Sequence, residues 1–216
     1  MATINLFGAS GHAKVIMDII DARGDCVGCL YDDAPHSSDI HDIPVYKASD
    51  IHVQGPLIIS IGSNRVRKLI SNKYDLLYAK AVHPKAVVSS SVVIGAGTVV
   101  MHGAIIQADV EIGKHCIINT GASVDHECKI GDFVHISPHA TLCGNVQVGE
   151  GSWIGAGATI IPGIKIGRWC TIGAGSVVIR DIPDGATAYG NPCKVKFTDM
   201  QTIDNQRLID GGGVNP

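Results

Sequence analysis

The 216-residue chain is poor in charge: Asp, Glu, Lys and Arg make up 17% of it, and the formal net charge is −3. It has no cluster of Lys and Arg to form a polyanion groove, so nucleic acid is not an expected partner. No apolar run approaches the ~18 residues of a membrane span. The opening MATINLFGAS lacks the charged and apolar regions of a secretory signal. A cytoplasmic location without a membrane span is the expectation. Seven cysteines are present, but Cys26 and Cys29 form a single CxxC with no second pair, so a structural zinc framework is not expected. A complete GxGxxG fingerprint and a Walker motif are also missing, which argues against NAD chemistry and nucleotide hydrolysis. What remains is a 45% hydrophobic chain, able to bury a sizeable core in one or two domains.

From Ala86 to Asp181 the sequence repeats every six residues without interruption. The third place holds Val88, Ile94, Val100, Ile106, Ile112, Ile118, Val124, Ile130, Ile136, Leu142, Val148, Ile154, Ile160, Ile166, Ile172 and Val178, fifteen of the sixteen β-branched. The first place is mostly small and never charged, as at Ala86, Thr98, Cys116, Cys128, Ala140, Ala158, Cys170 and Ser176. Two inward places around one outward residue describe a short strand, and the glycine that often follows permits a corner. A strict period of six drifts off any 3.6-residue face, so a helix is excluded. Short strands with regular corners make a parallel β-solenoid, each rung burying its face on its neighbours. Cysteines at the inward place act as small hydrophobes, as expected in a reducing compartment.

Residues 1–80 have a different pattern. Thr3 to Phe7 reads as a strand, followed by Gly8-Ala9-Ser10-Gly11-His12 and an amphipathic stretch from Ala13 to Ala22. Cys26 to Tyr31 is a second strand ending in Asp32-Asp33. Leu57 to Ile61 is a third, ending in Gly62-Ser63-Asn64 before a helical Arg65 to Ile70. The alternation predicts a Rossmann-like βαβ domain whose ligand lies beyond the carboxyl ends of the strands. A helix N-terminus after the glycine turn suits a phosphate, and an acidic pair after the second strand suits ribose hydroxyls.

The stronger chemical signal lies in the repeat, at Asp125-His126-Glu127 and His135. His126 follows the inward Val124 by two places, which sets it outward on a corner. With three sixes to a coil, residues eighteen apart stack at about 4.8 Å, so Gly144 lies one coil from His126 and leaves room beside it. Asp125 or Glu127 could hold one ring nitrogen of His126 and leave the other as a base.

These residues carry a resemblance. The hexad array with Val124-Asp125-His126-Glu127-Cys128, Ile130-Gly131-Asp132-Phe133, His135 and Cys143-Gly144-Asn145 is similar to the left-handed β-helix acyltransferases. The GASGH segment narrows it to sugar O- and N-acetyltransferases related to sialic acid O-acetylation, especially the bacterial UDP-4-amino-sugar N-acetyltransferases of bacillosamine-type glycan synthesis. Gly190-Asn191-Pro192 and Lys194 resemble the closing motif of such enzymes, with Cys193 replacing the usual alanine. The resemblance covers roughly residues 3 to 197. It implies a Rossmann-like domain over 1–80, a left-handed parallel β-helix over 81–197 and a tail over 198–216. It also implies a homotrimer with acetyl-CoA in a groove between neighbouring β-helices, and no metal. His126 becomes the general base, oriented by Glu127, in a direct transfer without a covalent enzyme intermediate. His135, Gly144, Ala156 and Ala174 become coenzyme contacts, and Ser10, Gly11, His12, Asp32, Asp33 and Gly62 hold the UDP-sugar.

Three other functions fit parts of the pattern. Sialic-acid-type O-acetylation could use the same sheet edge for a sugar acid. A zinc enzyme of the γ-carbonic anhydrase kind shares the solenoid, and His115, His126, His135 and His139 are its candidate ligands, although it needs no βαβ domain. A non-catalytic scaffold is disfavoured by the intact Asp125-His126-Glu127.

Overall fold

The structure is a computed structural model that describes residues 1–51 and 55–198; the expected tail beyond Thr198 lies outside the described residues. Its N-terminal part contains β1 (Thr3–Phe7), α1 (Gly11–Ala22), β2 (Cys26–Asp32), β3 (Asp39–Ile40), β4 (Ile43–Lys47), β5 (Leu57–Ile59) and α2 (Asn64–Lys73). The sheet order is β3-β4-β2-β1-β5, with β1 parallel to both β2 and β5, and β2 parallel to β4. The antiparallel β3–β4 hairpin was not expected from the sequence. The other elements match the expected ones to within a few residues at their ends. In α1, Ala13, Ile16, Ile19 and Ile20 recur at helical spacing and are all fully buried. α2 is capped by Ser63, whose hydroxyl accepts from the Val66 N–H. Gly8, between β1 and α1, has φ +112°, and a Cβ there would lie 2.6 Å from Ile61 Cγ1. Only glycine fits that turn.

From Ala81 onward, two-residue strands recur every six residues and stack into three parallel sheets that form a left-handed β-helix. Face one carries Val99–Val100, Ile117–Ile118, His135–Ile136, Trp153–Ile154 and Thr171–Ile172. Face two carries Ile105–Ile106, Ser123–Val124, Thr141–Leu142 and Thr159–Ile160, and face three Glu111–Ile112, Lys129–Ile130, Gln147–Val148 and Lys165–Ile166. Partners across each sheet are eighteen residues apart, as in Ser123↔Thr141. The inward places form one continuous core from Val100 to Ala188, including Cys116, Cys128 and Cys170. From Gly97 to Gly175 the sixth place of each six makes the corner in the left-handed region, so Asp109, His115, Glu127, Phe133, His139, Asn145 and Trp169 all have positive φ. Ala186–Tyr189 and Lys194–Thr198 close the end of face one as an antiparallel pair around the Gly190-Asn191-Pro192 turn.

The two parts share a core. Val99, Met101 and Ile117 project outward from face one, yet each is at most 2% exposed, packed in one cluster with Ile16, Ile19 and Ile20 of α1. Meanwhile α2 lies along the corner between faces three and one. The Arg67 guanidinium, on a residue 1% exposed, donates to the carbonyls of His115 (3.0 Å) and Phe133 (3.0 Å) on the coil. It also donates to Ile61 O, Gly62 O and Asn64 Oδ1 on its own side. Asn64 donates in turn to the carbonyls of Gly151 and Ser152, and Lys68 pairs with Glu150.

Candidate active site

His126 stands on the corner between faces two and three, with more than half of its side chain exposed. Its Nδ1 lies 3.1 Å from Glu127 Oε2, and its backbone N–H donates to Asp125 Oδ1 at 2.8 Å. Glu127 is therefore the ring partner, and Asp125 shapes the turn. With Nδ1–H donated to the carboxylate, Nε2 keeps a lone pair able to accept a proton. The ring lies over the next coil: a Cβ built on Gly144 would come within 2.6 Å of both Cε1 and Nε2 of His126. Glycine at 144 is what gives the imidazole its place. A bond from Asn145 N–H to His126 O at 2.9 Å ties the two coils together.

A cleft of about 480 Å³ opens between the carboxyl edge of the N-terminal sheet and face one. Gly62, Ser63, Asn64 and Arg65 form one wall, and His135, Trp153, Trp169 and Thr171 the other. Arg65 and Lys68 are held over the Trp169 ring at 5.0 and 5.3 Å. Trp153 donates to Ser137 Oγ at 2.7 Å and stacks 6.2 Å from His135. Asn119 fixes the His135 ring. Its Oδ1 accepts from Thr120 N–H (2.8 Å), so its Nδ2 donates to His135 Nε2 (3.0 Å), and the imidazole proton resides on Nδ1. Burial and the nearby Arg67 guanidinium and His12 push the His135 pKa down to about 3. His12 is pushed down to about 4 by burial and by Arg67, and its Nε2 is buried without a hydrogen-bond partner. Both imidazoles are neutral at physiological pH.

Among the other expected substrate residues, Ser10 and Gly11 are exposed at the start of α1. Asp32 accepts from Ala9 N–H at 2.8 Å and Ala34 N–H at 2.9 Å, so its carboxylate shapes the glycine turn, while Asp33 beside it is exposed. Ala156 and Ala174 are exposed on the corner between faces one and two, stacked eighteen residues apart, with Gly175 N–H donating to Ala156 O. One chain thus brings Gly62 and His135 to the cleft, with His12 close enough to His135 to depress its pKa. It sets His126 with Gly144 on one corner and Ala156 with Ala174 on another. Arg67, Asn119 and Trp153 were not singled out from the sequence. Trp153 was visible in principle, since it lies eighteen residues after His135 on the outward column of face one.

Within one chain the four histidines of the zinc reading, whose site was expected between subunits, do not converge. His115 is stacked on Phe133 (5.2 Å, 4°) at the corner between faces three and one, His135 lies on face one, and His126 and His139 occupy the other two corners. Among the described residues no group of three or more His, Cys, Asp or Glu side chains is placed to hold a metal. A shallower groove of about 520 Å³ runs along face three past Glu111, Lys129 and Lys165, and includes none of the expected site residues.

Comparison with known proteins is consistent along the chain. Residues 3–74 match the PglD N-terminal domain, and residues 91–126, 127–160 and 145–180 match the bacterial transferase hexapeptide (six repeats). A UDP-N-acetylbacillosamine N-acetyltransferase of Bacillus subtilis (strain 168) is 44% identical over 112 residues, which are 47% of this chain and 52% of that protein. The match thus spans about half the length of that curated relative. PerB from Caulobacter crescentus, solved in complex with CoA and GDP-perosamine, is 39% identical with a TM-score of 0.86, covering 90% of this chain and 97% of that one. The acetyltransferase domain of PglB from Neisseria gonorrhoeae FA1090, solved with acetyl coenzyme A, is 37% identical with a TM-score of 0.83, covering 90% and 98%.

Proposed function

Because the chain belongs to the family of sugar N-acetyltransferases that join a PglD N-terminal domain to a hexapeptide coil, we propose that it moves the acetyl group of acetyl-CoA to the 4-amino group of a UDP-4-amino-4,6-dideoxy sugar. The observation that carries the mechanism is the His126 imidazole, paired with Glu127 and lying over Gly144. Residues 1–80 hold the nucleotide sugar, with Ser10, Gly11, His12, Asp33 and Gly62 at the sheet edge and Asp32 ordering the turn. Residues 81–197 carry the coenzyme, along Gly144, Ala156 and Ala174. The cleft wall at His135 faces both substrates. His126 Nε2 takes a proton from the amine as its nitrogen attacks the thioester carbonyl. The new C–N bond forms, the C–S bond breaks, and the thiolate of CoA leaves, taking up the proton. No covalent enzyme intermediate and no metal take part. In this mechanism the Gly144 N–H steadies the oxyanion, and the shared groove supplies proximity.

The active unit is a homotrimer. The first rungs of face one are covered by α1 and its later rungs line the cleft, while face three presents Glu111, Lys129 and Lys165. Face two presents only Val87, Ile105, Ser123, Thr141, Thr159 and Val177. An uncharged, flat column suits a second copy. It is flanked by the two corners that carry His126 and Ala156, so packing along it sets one copy's His126 against the next copy's Ala156 and Ala174. No helix among the described residues is long and apolar enough to cross a membrane. We place the reaction in the cytoplasm, with its two soluble substrates.

The test is release of the CoA thiol by purified protein given acetyl-CoA and the UDP-amino sugar, with GDP-perosamine and sialic acid as competing acceptors. Turnover on the UDP-amino sugar is expected, with His126→Ala slower by roughly 10²- to 10⁴-fold. Turnover confined to sialic acid would move the reaction to O-acetylation, and a mutant within threefold of the wild type would remove His126 as the base.

A further inference from the structure

The corner between faces one and two carries a column of sixth-place residues eighteen apart: Gly103, Gly121, His139, Gly157 and Gly175. Four are glycines, each in the left-handed region. The fifth is a histidine, held in the same region at φ +56°. A bulky residue rarely adopts that conformation, and where one does, the surroundings usually impose it. The His139 ring lies down over the coil below: a Cβ on Gly121 would come within 2.5 Å of both Cε1 and Nδ1. Above His139 the column is empty, since a Cβ on Gly157 or Gly175 would meet nothing within 4 Å. The corner surface is therefore unobstructed along Gly157 and Gly175 and blocked at the exposed His139 imidazole.

Its height fixes what it stops. One coil of eighteen residues rises about 4.8 Å, so each residue climbs roughly 0.27 Å along the axis. His139 is thirteen residues beyond His126, hence about 3.5 Å higher, but its ring reaches down toward the level of Gly121, whereas the His126 ring reaches up toward Gly144, about 4.8 Å above its own backbone. Ala156 lies about 8 Å above His126 and Ala174 about 13 Å. In a parallel pair of copies meeting along face two, the coenzyme runs down past Ala174 and Ala156 of one copy, and its thioester arrives level with the raised imidazole of the partner copy's base, above the His139 ring. The next atoms of the acyl chain would continue down the same column. There they meet His139.

We propose that His139 closes the acyl end of the coenzyme groove and restricts the donor to a short acyl group. This rests on the acetyl-CoA reading above. Replacing the ring by hydrogen, as at the neighbouring places of its own column, opens the corner toward Gly121 and Gly103. One methylene in a fitted pocket is worth roughly ten- to two-hundredfold in specificity.

The experiment compares kcat/KM for acetyl-, propionyl- and butyryl-CoA at fixed amino-sugar concentration, in the wild type, His139→Gly and His139→Asn. Both replacements suit a left-handed backbone position, and a cooperative melt checks each fold. In His139→Gly the butyryl-to-acetyl ratio should rise at least about tenfold, with acetyl transfer falling no more than severalfold; His139→Asn should lie between. An unchanged ratio in both variants would overturn the proposal. So would a folded variant that loses every donor equally, because His139 would then act on the reaction and not on acyl length. Wild type inactive with acetyl-CoA would defeat the proposed function itself, a different outcome from active wild type with unaltered selectivity.

Discussion

Arg67 fastens α2 to the coil, and its removal offers the sharpest test of how the two parts are joined. Arg67→Met keeps most of the stem volume and deletes the donors to the carbonyls of His115, Phe133, Ile61 and Gly62 and to Asn64 Oδ1. His115 and Phe133 are 4% and 8% exposed, so water cannot readily replace the lost donor there. Each orphaned buried acceptor costs about 1–3 kcal/mol. Removing the burden of a buried guanidinium, whose pKa is pressed down to about 10 by burial, offsets part of this. A net loss of about 3–5 kcal/mol is expected, the range found when one partner is taken from a buried charged network. Urea unfolding followed by both far-UV dichroism and tryptophan fluorescence measures it. Trp169 lies beneath Arg65 and Lys68 of α2, so its emission reports the seam. In the mutant the fluorescence change should move to lower urea and precede loss of the coil. Coincident transitions within about 1 kcal/mol of wild type would refute the clamp.

The seam should also be acid-labile. His12 and His115 are held near pKa 4 and His135 near 3, each chiefly by burial and then by Arg67. Their folded pKa values lie below the unfolded value, so the stabilisation is fully present above about pH 6.5 and is lost as pH falls toward 4 and 3, at about 1.4 kcal/mol per pH unit for each imidazole. Urea midpoints at pH 7, 6 and 5 should fall steeply, and a flat series would count against this buried cluster. At the base, Gly144→Ala puts a methyl where the His126 ring lies. It should lower kcat by about 10²-fold while leaving the melting temperature within a few degrees, and normal turnover would show that the ring need not occupy that place.

Much of the coil was legible because its period leaves no other solution. Every third-place residue from Val100 to Val178 is buried, whereas Val88 and Ile94, in the first coil with no full neighbour beneath, are only partly covered. The His126–Gly144 stack followed from the same eighteen-residue register. The N-terminal strands and helices were legible from apolar spacing, but the β3–β4 hairpin was not, since Asp39, Pro44 and Lys47 give it no strand-like alternation. Arg67 and Asn64 were also hidden. Within the polar helix α2 they resemble solvent-facing residues, and only tertiary contact shows that their donors meet the carbonyls of a β-helix corner. One clue was available and unused: Val99 and Ile117 are apolar at outward places of one column, which marks a covered face.

The division of the site among three places follows from the same repeat. A triangular coil has three corners and three faces, and a face is opposite one corner. The cleft at His135 lies on face one, and the corner opposite face one is the one that bears His126. No bending of a rigid, close-packed coil brings them together within a chain. They are nevertheless almost level, because nine residues, half a coil, separate them, or about 2.4 Å along the axis. Copies related by rotation about a parallel axis keep that level. In the proposed homotrimer, the sugar amine in one copy's cleft can then meet a partner copy's imidazole without any change in the fold of either. In this reading the period of six builds the core, and it also sets the height at which the two halves of the site meet.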